Sequence, residues 1–532
     1  MRFRLLFLVL VLFYSSCSNK EEQNEDRTVF RYNEYSNISS LDPAFSKNQA
    51  HIWAVNQLFN GLVKLDKDLN IQPDIADSWQ IKNEGLDYVF KIKEGVFFHD
   101  HELFKGGKGR MVDASDVAYS LERLKSSELA APGAWVVKGI KGIEVLSTME
   151  LKITLTQPNP AFLSLLTMKY CSVVPKEIVE YYGSNFGRNP IGTGPFYFKV
   201  WQENVKLVLL KNPSYFEKDK NGVSLPYLDA VAINFLADKQ AEFMALLQGK
   251  LDMLSGLDPA YKDEILDQNG NLSTRYVSDY SLLKGAYLNT EYLGLNFENE
   301  IFSKHKELRE ALNIGFDRVQ MMKYLRNNVG SPALQGFVPR GLPTFDSEIK
   351  YDYDPKRASE IVSRLKKQNP ETNFRFSIAT NSQYLDLCEF VQRQWQDIGL
   401  DVSVEVLAPA TLKQSKATNR LDVFRASWIA DYADAENYLA LFLKGNFSPS
   451  GPNYTHFTSE DYEALFANAV ASTDTKLRFE YYKALNDILL EEIPVIPLYY
   501  DEVIRLIPNR VKGMEINGVN TLDLRKVQIA KE

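Results

Sequence analysis

A chain of 532 residues is too long for one hydrophobic core, and a prior of one domain per ~150 residues suggests about three. With 45% hydrophobic residues, 24% charged residues and only 3 cysteines, it is not a disordered chain, a collagen or a disulfide scaffold. A net charge of −8 argues against a nucleic-acid partner, which needs a basic face.

Arg2 and Arg4 precede an apolar run from Leu5 to Phe13, followed by Tyr14-Ser15-Ser16-Cys17. A charged start, a short apolar stretch and small residues before a cleavage point describe a secretory signal. The run is shorter than the ~20 apolar residues a membrane span needs, and no later stretch supplies them. The Ser-Ser-Cys ending resembles a bacterial lipobox, with Tyr14 where an aliphatic residue is usual. On that reading residues 1–17 are the signal, Cys17 carries the lipid, and the polar residues 18–27 form a solvated tether. The alternative is an ordinary signal peptide with an incidental cysteine. The expected location is outside the cytoplasm, lipid-anchored to a bacterial membrane on its periplasmic or cell-surface side. Cys171 and Cys388 are expected to be buried free thiols rather than a disulfide.

Along the mature chain, strands are expected at 88–93, 151–156 and 196–200. Asp113, with Asp116 three residues on, opens a helix carrying Val117, Leu121 and Leu124. Gly192 and Gly194 with Pro195 suggest a tight turn into the following strand. Asp238 caps a helix through Leu247, Gly249 ends it, and a strand follows over Leu251 to Leu254. Residues 306–328 are helical by period, with a break near Asp317. Phe374, Phe376 and Ile378 alternate as a strand. Tyr384 to Ile398 then recur at helical spacing up to Gly399, and Val402, Val404 and Val406 alternate again. Such a strand–helix–strand unit is parallel with a right-handed crossover, which makes the architecture α/β.

Enzyme signatures are scarce. There is no Gly-x-Ser-x-Gly elbow, P-loop or dinucleotide fingerprint. His99-Asp100-His101-Glu102 is the one candidate metal cluster, but Lys105 stands where a zinc protease would place its second histidine. A solvated turn is the bland reading of that cluster, and a surface metallohydrolase using His99 and His101 is the sharp one. No catalytic residue, metal or cofactor is assigned.

Six segments carry a resemblance. They are Leu58-Phe59-Asn60-Gly61-Leu62-Val63 running to Pro73-Asp74-Ile75-Ala76-Asp77-Ser78-Trp79, Phe90 to Asp100, Asp116 to Arg123, Pro190 to Phe196 with Lys211 to Phe216, Arg425 to Asp434, and Pro494 to Tyr500. In this order they resemble the family-5 extracellular solute-binding proteins of ABC importers, the oligopeptide- and dipeptide-binding group, over about residues 28–525. The resemblance implies a two-lobed periplasmic-binding-protein fold with an extra third domain and hinge closure over an interlobe cleft. Lobe I would be 28–58, 190–285 and 490–532, the accessory domain 59–189, and lobe III 286–489. It also implies a non-enzymatic monomer that captures peptides and delivers them to a permease driven by cytoplasmic ATPases. Contact with the membrane would be through the lipid anchor only. Other members take nickel chelates or oligosaccharides, so a non-peptide solute is the alternative.

Arg425, Trp428, Asp431 and Tyr432 place a cation, two aromatics and an anion within eight residues. They are read as a loop after a strand at 421–424, where α/β sheets tend to bind ligands. The bland reading is an Arg425–Asp431 ion pair. By resemblance, Asp431 receives the peptide ammonium, Arg425 meets a ligand carboxylate, and Trp428 and Tyr432 wall the cleft. Ala435 stands where many members have proline. The stretch between His99 and Ser115 is about six residues longer than usual, with no role assigned.

Overall fold

In the first strand, Val29–Asn33, Phe30 and Tyr32 are buried on either side of exposed Arg31, the alternation of a half-buried strand. In this computed structural model, which describes residues 27–258 and 261–530, that strand edges a four-stranded sheet. It pairs in parallel with Ala230–Asn234, which lies antiparallel to Lys206–Lys211, followed by Phe196–Gln202. The signal, Cys17 and the tether up to residue 26 lie outside the described residues.

A second four-stranded sheet, antiparallel throughout, is built from Ala76–Lys82, Asp87–Ile92, Glu150–Leu155 and Ile140–Ser147. The helix Ala114–Leu124 packs on it and starts with a full capping box, Asp113 and Asp116 each accepting from the other's backbone N–H.

The largest sheet has seven strands. Its centre is the antiparallel pair Tyr280–Leu295 and Val495–Pro508, extended on one side by Val423–Ile429, Arg375–Thr380 and Asp401–Val406. Arg375–Thr380 and Asp401–Val406 are parallel and joined by the helix Leu385–Asp397, after which Gly399 takes φ +98°. This is the expected strand–helix–strand unit. One face of the sheet buries Leu293, Ile496, Met322 and Trp395, the other Tyr292, Phe424, Phe337 and Tyr438. The expected break near Asp317 separates the helices Lys306–Ile314 and Arg318–Arg326, with Asp317 capping the second. Cys171 and Cys388 are buried and free.

Two expectations change. The strand expected at Leu251 to Leu254 forms a ladder only at Leu254–Ser255. Leu251 and Met253 are buried, but Asp252 turns its carboxylate to the Arg31 N–H at 2.8 Å and to Arg510 at 2.6 Å, satisfying a buried anion instead of extending a strand. The chain does bend at 193–195 into the Phe196–Gln202 strand, but Gly192 and Gly194 are not needed there for their backbone angles, since neither has positive φ. They are required by close approach: a Cβ at Gly194 would lie 2.3 Å from the Leu58 carbonyl carbon, and one at Gly192 would lie 2.2 Å from the Leu58 oxygen.

Candidate functional site

The Val423–Ile429 strand stays paired to Tyr280–Leu295 from Val423↔Leu295 as far as Ile429↔Asn289. Arg425 and Trp428 therefore sit within a strand, and only Asp431 and Tyr432 lie on the segment beyond it. That corrects the expected loop. Side chains alternate, so the residues face different ways.

Arg425 points into one face of the sheet. It is 8% exposed, pairs with the buried Glu291 carboxylate, and stacks its guanidinium carbon 3.2 Å from the centre of the Tyr384 ring. Its counter-charge is Glu291 on the neighbouring strand, not Asp431. A buried pair of this kind is costly to break, because either partner alone would be an uncompensated charge. Trp428 points to the other face and donates its indole N–H to Asn437 Oδ1 at 2.9 Å. The Asp431 N–H donates to the same oxygen at 3.1 Å, so Asn437 fixes the segment where the strand ends.

Just before that point the central ladder is irregular between Ala286 and Thr290. Leu288 there donates its N–H to the Gly518 carbonyl at 2.7 Å and accepts the Ala430 N–H on its own carbonyl at 2.8 Å. The segment 515–521 is held in turn by Arg505, which is fully buried and donates to the carbonyls of Glu515 and Thr521 and to Asn520 Oδ1. Trp53 and Gln49, on the helix Gln49–Leu58, donate to the Asn520 carbonyl at 2.7 and 2.9 Å.

These contacts surround a cavity of about 860 Å³. Its walls come from 46–74, 167–170, 215–217, 429–432 and 515–526, and include Asn56, Met168, Tyr170, Tyr287, Asp431 and Tyr432. The size falls within the ~300–1,000 Å³ usual for small-ligand sites. Of the four expected contact residues, Asp431 and Tyr432 line it; Arg425 and Trp428 do not.

Asp431 reaches the cavity with no cation within ion-pair distance among the described residues. The surrounding protein holds its carboxyl above the ordinary carboxylate range, while Asn437 pulls it back. Across the cavity, burial and then the Asp431 charge push the Tyr170 phenol up to about 12. Gly133 makes room for Tyr170, since a Cβ there would lie 2.3 Å from its ring.

Tyr432 crosses between units. It is 6% exposed and packs into the core shared by the two four-stranded sheets, the sole residue between 286 and 489 to do so among those described. Its ring lies 6.3 Å from that of Trp135, and its phenol donates to the Glu436 carboxylate. A smaller cavity of about 230 Å³, lined by Trp135, Phe162, Leu165, Tyr432 and Glu436, marks this crossing. Tyr170, Trp135, Glu436 and Asn437 escaped the sequence reading. Each matters through a neighbour distant in sequence or through the end of a strand, and none forms a local motif.

His99 is buried. It spends both ring nitrogens on the Gly192–Gly194 backbone, Nδ1 accepting from Gly192 N–H at 3.3 Å and Nε2 lying 3.0 Å from the Gly194 carbonyl. Burial lowers it to about 4, so it is neutral at pH 7. His101 Nε2 lies 3.0 Å from the Tyr182 phenol. Among the described residues no three His, Cys, Asp or Glu side chains converge as a metal site. The long stretch 99–115 is held by Lys108–Asp100 and by Arg110 with Asp116 and Glu177, and does not line the large cavity.

Residues 70–450 match the model for the middle region of bacterial extracellular solute-binding proteins, family 5. The chain belongs to this family. It is 25% identical over 489 residues to the glutathione-binding protein GsiB of Escherichia coli O6:K15:H31, covering 90% of each chain. Among solved structures it is similar to the periplasmic binding protein DppA of Helicobacter pylori in complex with the peptide STSA, at 26% identity and TM-score 0.78, covering 95% of this chain and 99% of that one. HbpA2 of Haemophilus parasuis shares the fold at TM-score 0.82 and 21% identity, covering 94% of this chain and 100% of that one. The chain is thus a two-lobed α/β solute-binding protein of the ABC-importer, peptide-binding family, whose members are extracellular or periplasmic. No described helix is long and apolar enough to cross a membrane.

The crossing at Tyr432 has a pH signature. Burial raises the Glu436 carboxyl from 4.5 to about 7, so the folded state holds this proton more tightly than the unfolded one. That contribution to stability is complete below about 4.5 and is lost as pH rises to about 7. Glu436→Gln removes the titration and should gain melting temperature relative to the original protein on going from pH 5 to pH 8. A difference that stays constant over that range in thermal unfolding would contradict this.

Proposed function

We propose that this protein captures short peptides in the large cavity, with Asp431 receiving the free α-ammonium, and hands them to an ABC-type permease. The observation that carries the reading is Asp431: an anion without a counter-cation, facing a peptide-sized cavity at the end of a strand. Asp431 is exposed to the cavity, and a ligand ammonium would give it the charge-assisted partner that no described side chain supplies. DppA of Helicobacter pylori was solved with a peptide, and GsiB is named for glutathione, itself a short peptide; both support this class of ligand.

Closure would bring lobe III, 286–489, towards lobe I, 28–58 with 190–285 and 490–532, and the accessory domain 59–189. Tyr280–Leu295 crosses the proposed boundary at 285/286 while paired with Val495–Pro508, and this ladder would flex near the irregularity at 286–290. The Tyr432–Trp135 contact would be made or tightened on closing. No covalent step is involved; the free energy of closure comes from contacts the ligand makes with both sides. Tyr432 and the strand-end backbone would hold the peptide, while Arg425, Trp428 and Asn437 keep Asp431 in place.

Asp431→Asn is isosteric and should leave folding nearly unchanged while weakening peptide binding by about 1.5 kcal/mol or more, roughly tenfold. N-acetylation of the peptide should weaken binding to the original protein to a similar degree, and both changes together should cost less than their sum. Titration calorimetry showing equal binding of free and acetylated peptides to both proteins would refute the amine anchor. For the location, Cys17 is proposed as the lipid attachment site. Cys17→Ser should shift the protein from the membrane to the soluble exported fraction, and unchanged membrane association would rule the anchor out.

A further inference from the structure

Beside Tyr170, on the wall facing Asp431, Lys169 also lines the large cavity. It starts the short 3₁₀ turn Lys169–Cys171, which Ser172 fixes by donating its hydroxyl to the Lys169 carbonyl at 2.8 Å. The backbone is therefore set while the side chain is left for the cavity. Its Nζ makes no hydrogen bond and no ion pair among the described residues, although five charged side chains line the cavity floor nearby.

Those five are committed to one another. Asp74 accepts both Asn60 Nδ2 contacts at 3.0 Å and the Gly61 N–H at 3.2 Å, with Lys64 at 3.6 Å. Glu217 is shared by Lys64 and by Arg525 at 2.7 Å. Asp523 is held by Arg525 at 2.5 Å. Three carboxylates and two cations leave this floor with one excess negative charge, which favours the charged form of Lys169 from a distance without partnering it. Burial works against that charge and draws the ammonium below the usual lysine range. Lys169 is thus a half-buried cation whose Nζ has no hydrogen-bond or ion-pair partner among the described residues, on the same cavity as Asp431, an exposed carboxylate that likewise has no ion-pair partner among them.

We propose that Lys169 receives a carboxylate of the bound solute, so that the cavity selects zwitterionic or acidic peptides held by their ammonium at Asp431 and by a carboxylate at Lys169. This rests on the peptide reading of the site. A charge-assisted hydrogen bond in a water-poor cleft is stronger than a neutral one and selects sharply against a ligand that lacks the group. Two sources could supply the carboxylate, the peptide C-terminus or an Asp or Glu side chain.

The test is competitive capture from a defined pool of di- to pentapeptides, prepared as free acids and as C-terminal amides, with and without Glu, and quantified by mass spectrometry. The original protein should enrich carboxylate-bearing peptides about tenfold or more over neutral amides. Lys169→Met should lose that enrichment while keeping the preference for free over acetylated N-termini, and Lys169→Arg should restore part of it. Enrichment that disappears with amidation assigns the C-terminus; enrichment that survives amidation only in Glu peptides assigns the side chain; either supports the proposal. Lys169→Met should melt no lower than the original, because the half-buried ammonium it removes has no ion-pair or hydrogen-bond partner among the described residues. If Lys169 only balances the floor charge, the variant will melt lower with its peptide preferences intact, and the proposal is overturned. Absence of carboxylate enrichment in the original protein overturns it too. With the N-terminal preference intact, that result leaves the peptide reading standing. With neither preference present, the peptide reading falls as well.

Discussion

The two hydrogen bonds of Leu288 set the geometry of the site. The long strands Tyr280–Leu295 and Val495–Pro508 pair from Tyr280↔Pro508 to Gly294↔Val495, but their register slips between Ala286 and Thr290. A residue in a regular ladder spends its N–H and C=O on neighbouring strands in the sheet. Leu288 sends its N–H to Gly518 and its carbonyl to Ala430. One wall of the cavity, 515–521, and the segment bearing Asp431 are thereby pinned to the same residue. A slip in a ladder is also where a continuous strand bends most readily, so the proposed closure would pivot at the point that joins the walls.

Around that pivot the charges divide into two kinds. Arg425 with Glu291, Arg505 with its backbone acceptors, and Asp523 with Arg525 are buried and partnered; they hold strands and segments in place. Asp431 and Lys169 line the cavity without an ion-pair partner. The first kind carries a desolvation cost to bury, and removing one partner costs more because it leaves the other an uncompensated buried charge. The second kind has no partner in the protein and, on the proposed reading, would be met by a ligand carrying the opposite charges. Tyr432 links the two, since it extends the Asp431 segment into the core on the far side of the cleft and ends on Glu436, whose proton is lost near neutral pH.

Local patterns in the sequence carried most of the fold. The strand–helix–strand at 374–406, the capping box at Asp113, the break before Arg318 and the cap at Asp238 each depend on residues a few positions apart, and each is present. Arg425 was misplaced into a loop because a charge in the middle of Phe424-Arg425-Ala426-Ser427-Trp428 looks like the end of a strand. Its compensation, Glu291, is 134 residues away and visible only once the strands pair. The bend before Phe196 is legible from Gly192, Gly194 and Pro195, but the close approach of the Leu58 carbonyl, which is what demands glycine there, is not. Asp431 and Tyr432, which the resemblance singles out, line the cavity. Lys169 and Tyr170 belong to no sequence motif and join Asp431 on one cavity only through the fold.

The central claim is that the cavity holds peptides with a free ammonium at Asp431. The most direct measurement is mass spectrometry of what the purified full-length protein releases on mild unfolding. Short peptides with free N-termini, present with the original protein and depleted from Asp431→Asn, are the predicted result. Release of a non-peptide solute, or of stoichiometric metal without peptide, would contradict it.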